Sequence, residues 1–165
     1  MTDGRDKLEE NMRGQSVLFL ASWIILLVVS IAILLISAQS LWVAYSGQRD
    51  GLTPEYALTQ IQEHGGEEAV KAFRGRRVTA ATWAMAYGLL AIGVVLLPYR
   101  RGEKWAWWFL LISLGLSQIL SLARAVTIAT ITGTGAPSIV LAFLLLGLLA
   151  GTPRIFRPRI EGLDT

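Results

Sequence analysis

Ser113, Ser117, Ser121 and Arg124 recur at helical spacing inside an otherwise apolar run, and on a helix they fall within about 80° of arc. Gln118 borders that stripe. Hydroxyls, an amide and a guanidinium on one face can donate and accept hydrogen bonds and hold an anion, but they contain no nucleophile–base pair. The chemistry they offer is binding: a polar crevice for a lipid head group, a quinone-like molecule or a small solute. The alternative is packing, with the serines bonded to their own helix backbone and Gln118 to a neighbouring helix. Arg124 is the only ionisable residue inside any apolar run. It is expected either to bind an anion such as a phosphate head group or to pair with Glu63, Glu67 or Glu68 and tie a loop to the bundle.

His64 stands beside those three carboxylates, which suggests a metal or acid–base site. The Gly65-Gly66 pair among them and the single imidazole give no metal-ligand spacing, so exposed helix-end residues are the expectation. The chain has one His and no Cys, which excludes disulfides, thiolate metal sites, thiol catalysis and a bis-His haem within one chain. Carboxylates are absent from the apolar runs, against ion-coupled transport by this chain alone. Gly133-Thr134-Gly135 lacks the Lys and spacing of a phosphate-binding loop. No cofactor and no catalytic residue is expected, and the chain reads as non-enzymatic.

The elements that must position these groups are membrane spans. Of 165 residues, 53% are hydrophobic and 16% charged, with a mean hydropathy of +0.52. Four apolar runs, about 17–45, 78–97, 105–131 and 137–151, each approach the roughly 20 helical residues needed to cross about 30 Å of hydrocarbon. The expected fold is all-α, an integral membrane four-helix bundle. A polar N-terminal segment (1–16) precedes the transmembrane domain (17–151), and a basic tail (152–165) follows. Ala38-Gln39-Ser40 resembles a cleavage site. The 20 apolar residues before it and the acidic Asp3, Asp6, Glu9 and Glu10 instead indicate a retained anchor helix.

Residues 1–15 are expected to fray, with Ser16 capping the first span. Trp23, Trp42, Trp105, Trp107 and Trp108 are placed as interfacial anchors. Within the loop 46–77, Thr53-Pro54-Glu55 starts a helix, Gly65-Gly66 stops it, and Glu67 to Arg74 forms a second, with Val70 and Phe73 on its apolar side. Two short amphipathic helices in the first extracytoplasmic loop result. Spans two and three form an antiparallel hairpin. Ala80, Ala84 and Gly88 make a small-residue ridge for close helix packing. The last span ends at Thr152-Pro153, and Pro153 and Pro158 keep the tail from being helical.

The net charge is +3. Its basic residues flank the spans, where anionic lipid head groups lie, so nucleic acid is not the expected partner. Arg100, Arg101, Lys104, Arg154, Arg157 and Arg159 are assigned to those head groups. With the N-terminus inside, nine Lys and Arg fall on the cytoplasmic side against six outside, which places both termini in the cytoplasm of a cell with this protein in its inner membrane.

The stretch Tyr99-Arg100-Arg101-Gly102-Glu103-Lys104-Trp105-Ala106-Trp107-Trp108 resembles the turn between spans two and three in a family of small, uncharacterised four-span membrane proteins of bacteria and archaea. The stretch Gly51-Leu52-Thr53-Pro54-Glu55 is similar to their first loop. The resemblance covers roughly residues 17–150 and implies a prokaryotic four-helix membrane protein; it brings no activity, cofactor or catalytic residue. Two functions follow from the residues: an accessory subunit or scaffold acting by helix association with a membrane protein or a second copy, or a binder of a lipid or other lipophile through the third-span stripe.

Overall fold

In a computed structural model of the chain, residues 3–46, 55–127 and 135–156 are described. Among them there is no strand, and the protein is all-α. Helix α1 runs Asp3–Ser46, α2 Glu55–Val94, α3 Lys104–Leu110, α4 Leu116–Thr127 and α5 Gly135–Ile155. A single π-helical turn, Val95–Tyr99, extends α2, and another, Leu111–Gly115, joins α3 to α4. Four helical segments are long and apolar enough to cross a membrane: 16–46, 61–99, 104–123 and 135–155. This is a multi-pass membrane protein. Only 22–28% of each span's most apolar stretch is buried within the chain, so most of its lateral surface is left for lipid or for other proteins.

Several boundaries differ from the sequence expectation. The polar N-terminal residues do not fray: α1 begins at Asp3, and Ser16 lies inside it rather than at its cap. At Glu55 the expected helix start is observed, while Thr53 and Pro54 lie outside the described residues. Gly66 interrupts the helix, with φ 67° and ψ −168°, a conformation open to glycine and costly for residues with a Cβ. From Glu67 onward, however, the chain does not form a separate surface helix. It runs unbroken through Arg74–Arg77 into the second span, because nothing between Glu67 and Val78 breaks a helix once the glycine pair is passed. Val70 and Phe73 are half-buried, as their apolar character requires.

Pro153, expected to end the last span, sits inside a helix, as does Pro98. Pro98 lies in the π-turn and Pro153 in the last turn of α5. A proline removes one backbone donor, and within a membrane helix local widening or a nearby hydroxyl restores the balance. The π-turn is such a widening at Pro98. Pro153 leaves the Leu149 carbonyl without its i→i−4 donor, yet the helix carries on past it, the Phe156 N–H bonding to the Thr152 carbonyl at 3.0 Å. The C-terminal segment is therefore helical to Ile155; residues 157–165, with Arg157, Pro158 and Arg159, lie outside the described residues.

The chain divides into two compact units, residues 30–90 and residues 1–29 with 91–165. In the first, α1 and α2 pack closely at Gly88, where an added Cβ would stand 3.2 Å from the Leu34 backbone. Arg77 donates from Nε to the Ser40 hydroxyl at 3.1 Å. Of the expected ridge, Gly88 is buried and Ala84 half-buried, but Ala80 is exposed and Ala81 is buried instead. The packed face passes one residue later than a strict four-residue repeat, because 3.6 residues per turn drifts away from it.

In the second unit, α5 buries Leu144, Gly147, Leu148, Gly151 and Ile155. This is one stripe at i, i+3, i+4, i+7 and i+11. Gly147 lies on α1, with an added Cβ only 3.0 Å from the Leu26 side chain. The two glycines, four apart, form a small-residue contact of the kind that brings membrane helices together.

Candidate functional site

Polar groups buried in a membrane protein carry information, since each must find a partner inside the chain. The hydroxyls that face inward belong to α1. Ser22, Ser30 and Ser37 are all buried and fall within about 80° of one another around the helix. Ser37 donates to the Ile33 carbonyl at 2.7 Å. Ser22 reaches further. Its Oγ lies 2.5 Å from the Tyr99 hydroxyl and 2.6 Å from the Gly147 carbonyl. As Ser22 has one hydroxyl proton and Gly147 offers only an acceptor, Ser22 donates to the carbonyl and accepts from Tyr99. Gly151 makes this possible: a Cβ there would collide with the Tyr99 hydroxyl and stand 2.6 Å from Ser22 Oγ. Each interhelical hydrogen bond of this kind contributes roughly 0.6 kcal/mol on average in membrane proteins, and up to about 1.7 kcal/mol.

This node supports a layer of aromatic rings and arginines. Phe19 stacks on Tyr99, with ring centroids 5.8 Å apart and planes 11° from parallel. The guanidinium of Arg154, near the end of α5, lies over Phe19 at 4.3 Å, and that of Arg100 lies over Trp23 at 5.5 Å. Trp23 is itself fixed, its indole N–H donating to the Val95 carbonyl in the π-turn at 3.1 Å. Between them opens a crevice of about 340 Å³ lined by Ser16, Phe19, Leu20, Trp23, Arg100 and Arg154, a size within the range of small-molecule sites.

The turn that carries Arg100 is closed by its own backbone. Gly102 has φ 78°, its N–H bonds to the Tyr99 carbonyl at 2.9 Å, and the Glu103 N–H bonds to the Pro98 carbonyl at 3.1 Å. These are the two bonds of a Schellman stop. Glu103 then leaves in extended backbone and begins α3, accepting the Ala106 N–H at 3.2 Å, and its carboxylate takes the Trp105 indole N–H. The basic turn is thereby a defined support for Arg100.

The residues singled out from sequence are dispersed. Ser113 bonds to the Phe109 carbonyl at 2.6 Å and Ser117 to the Leu114 carbonyl at 2.8 Å, both on their own helix. Gln118 donates to the Ser117 hydroxyl at 3.3 Å. Ser117 and Ser121 are exposed, and Ser113 and Gln118 are partly so. Ser117 and Ser121 thus lie on the outer surface of the chain, with Ser113 and Gln118 between it and the interior. Overall apolarity hides which side of a membrane helix faces inward. The side chain of Arg124 lies outside the described residues. Glu67 pairs with Lys71 on its own helix at 3.1 Å, a solvent-exposed pair, and Glu63, His64 and Glu68 are exposed. Among the described residues no three His, Asp or Glu side chains are grouped to hold a metal.

The tryptophans divide. Trp42, Trp105 and Trp108 are exposed, as interfacial anchors would be. Trp23 and Trp107 are held by their own unit, Trp107 by donating to the Leu148 carbonyl at 3.0 Å and by an edge contact to Phe156 at 5.3 Å. Both are half-exposed, and their indole N–H groups tie neighbouring helices together. The sequence did contain a signal for this site. Three hydroxyls on one face of α1 and two glycines four apart on α5 mark an inward side, whereas hydropathy alone passes over both.

Fold and site together define the class: a multi-pass α-helical membrane protein with a basic, aromatic crevice at one end of a helix-packed unit. No family model matches the chain, and no curated protein or solved structure is similar to it.

Proposed function

We propose that the protein is a non-enzymatic membrane subunit or scaffold of a prokaryotic inner membrane, with both termini in the cytoplasm, acting by helix association with a membrane protein or with a second copy. The observation that carries this reading is a polar edge on α4, with Ser117 and Ser121 exposed and Gln118 half-exposed between them. A carboxamide facing hydrocarbon carries a desolvation cost that an accepting helix removes. The serine hydroxyls are already bonded or small. Gln118 is the group that gains most from a partner, because it has more donor and acceptor capacity than Ser117 alone can meet.

Native mass spectrometry of the protein released from nanodiscs tests this. Wild type is expected as a defined oligomer or in a fixed complex, and Gln118→Leu with Ser121→Leu is expected to shift it to the single chain. A wild-type protein found only as a monomer without protein partners overturns the reading.

A further inference from the structure

We propose that the crevice between α1, the Arg100 turn and the end of α5 binds the phosphate group of an anionic lipid, a role distinct from association through α4. Basic residues flank every span of this protein, and most need no further explanation than attraction to the membrane surface. Arg100 and Arg154 stand out among the described basic residues by their aromatic contacts. Each lies over an aromatic ring, and both line the same crevice.

A guanidinium carries five N–H donors, more than contact with one ring occupies, so donors remain to grip an oxyanion. Among the described residues neither arginine has a carboxylate partner and no carboxylate lines the crevice. Two positive charges brought together without a counter-ion repel each other, and a bound phosphate relieves that repulsion.

Lipid is favoured over a free anion by what lies beside the charges. Leu20 forms part of the crevice, and Val17, Leu18, Leu20 and Ile24 continue from it as an exposed apolar surface along α1 toward the span. A ligand with a phosphate at one end and acyl chains at the other matches both parts. The support is firm on every side: Phe19 stacks on Tyr99, Tyr99 is bonded to Ser22, and Trp23 to Val95. The site is therefore preorganised, and binding requires little ordering of the two arginines.

The test compares lipid retention by native mass spectrometry in neutral detergent, with dioleoylphosphatidylglycerol or dioleoylphosphatidylcholine added. Wild type is expected to retain the anionic lipid preferentially. Arg100→Gln with Arg154→Gln should lower that retention about tenfold, the scale of a lost charge-assisted pair. Arg101→Gln with Lys104→Gln removes the same formal charge from the same end of the molecule outside the crevice, so it takes away only general surface attraction and should lower retention clearly less. Arg100→Lys with Arg154→Lys keeps the charge without the planar fork, and should fall between the two and show that loss is not a failure to fold. Displacement by inorganic phosphate would show that the phosphate group alone is recognised; retention against it would tie the site to the whole lipid. Equal losses in the two Gln pairs, or equal retention of the two lipids by wild type, overturns the proposal.

Discussion

At the scale of single residues, Ser22, Tyr99 and Gly151 are one device. Ser22 joins α1 to α5 through the Gly147 carbonyl and to the end of the second span through Tyr99, and Gly151 supplies the space in which the two hydroxyls meet. Ser22→Ala removes one hydrogen bond to each neighbour and is expected to cost about 1 kcal/mol of stability. Gly151→Ala adds only a methyl group, yet it should cost more, roughly 1–3 kcal/mol, because the methyl lands on the Tyr99 hydroxyl in a packed interior. Tyr99→Phe removes the atom it strikes, so the double variant Gly151→Ala with Tyr99→Phe should regain part of the loss. Thermal unfolding in mixed micelles measures all four proteins, and strictly additive losses would show that the two residues do not share this space. The residue scale is also where sequence was least legible. Ser113, Ser117, Ser121 and Arg124 attracted attention because they interrupt an apolar run, while Ser22 passed as one small residue in a longer one. Only the angular agreement of Ser22, Ser30 and Ser37, taken with the glycine pair on α5, separates the packed side from the lipid side.

At the scale of elements, the four spans were legible because hydrocarbon thickness sets a length that no other class of helix in the chain reaches. Their ends were not. Pro153 reads as a stop, yet α5 runs on to Ile155, and Pro98 sits in a widened π-helical turn, one of the ways a membrane helix absorbs a proline. The stop that does operate after the second span is Gly102, a left-handed residue closing a Schellman turn. Gly102→Ala is expected to destabilise the protein by roughly 1–2 kcal/mol, since a Cβ is disfavoured at that φ whatever the surrounding space. Gly102→Asn should be milder, as asparagine visits this region more readily. Gly93→Ala makes the contrast: it is helical, an added Cβ meets nothing within 4 Å, and helix propensity alone should make the change neutral or stabilising. Equal losses at Gly93 and Gly102, by the same unfolding measurement, would show that backbone conformation is not what distinguishes them.

At the scale of the whole molecule, the proposed topology of four crossings has both termini on one side, and the distribution of Lys and Arg is the sequence's guide to which side that is. Nine basic residues against six favour the cytoplasm for the termini and for the turn at 98–104. The cluster Arg74 to Arg77 pulls the other way, but Arg77 is engaged by the Ser40 hydroxyl within its own unit. Arg100 and Arg154, by contrast, face an anion site that suits the anionic cytoplasmic leaflet. The chain has no cysteine, so single introduced cysteines report topology without background. Glu68→Cys, on the exposed first turns after Gly66, is expected to react with a membrane-impermeant maleimide in intact cells. Arg101→Cys and Thr165→Cys should react only after the membrane is opened. Labelling of Arg101→Cys and Thr165→Cys from outside, with Glu68→Cys protected, would invert the molecule and move the arginine crevice to the outer leaflet. Labelling of Arg101→Cys and Thr165→Cys on opposite sides would mean that one of the four helices does not cross. The crevice has the same geometry in either orientation, but the lipid it meets depends on the leaflet, so this measurement fixes which head groups the two arginines encounter.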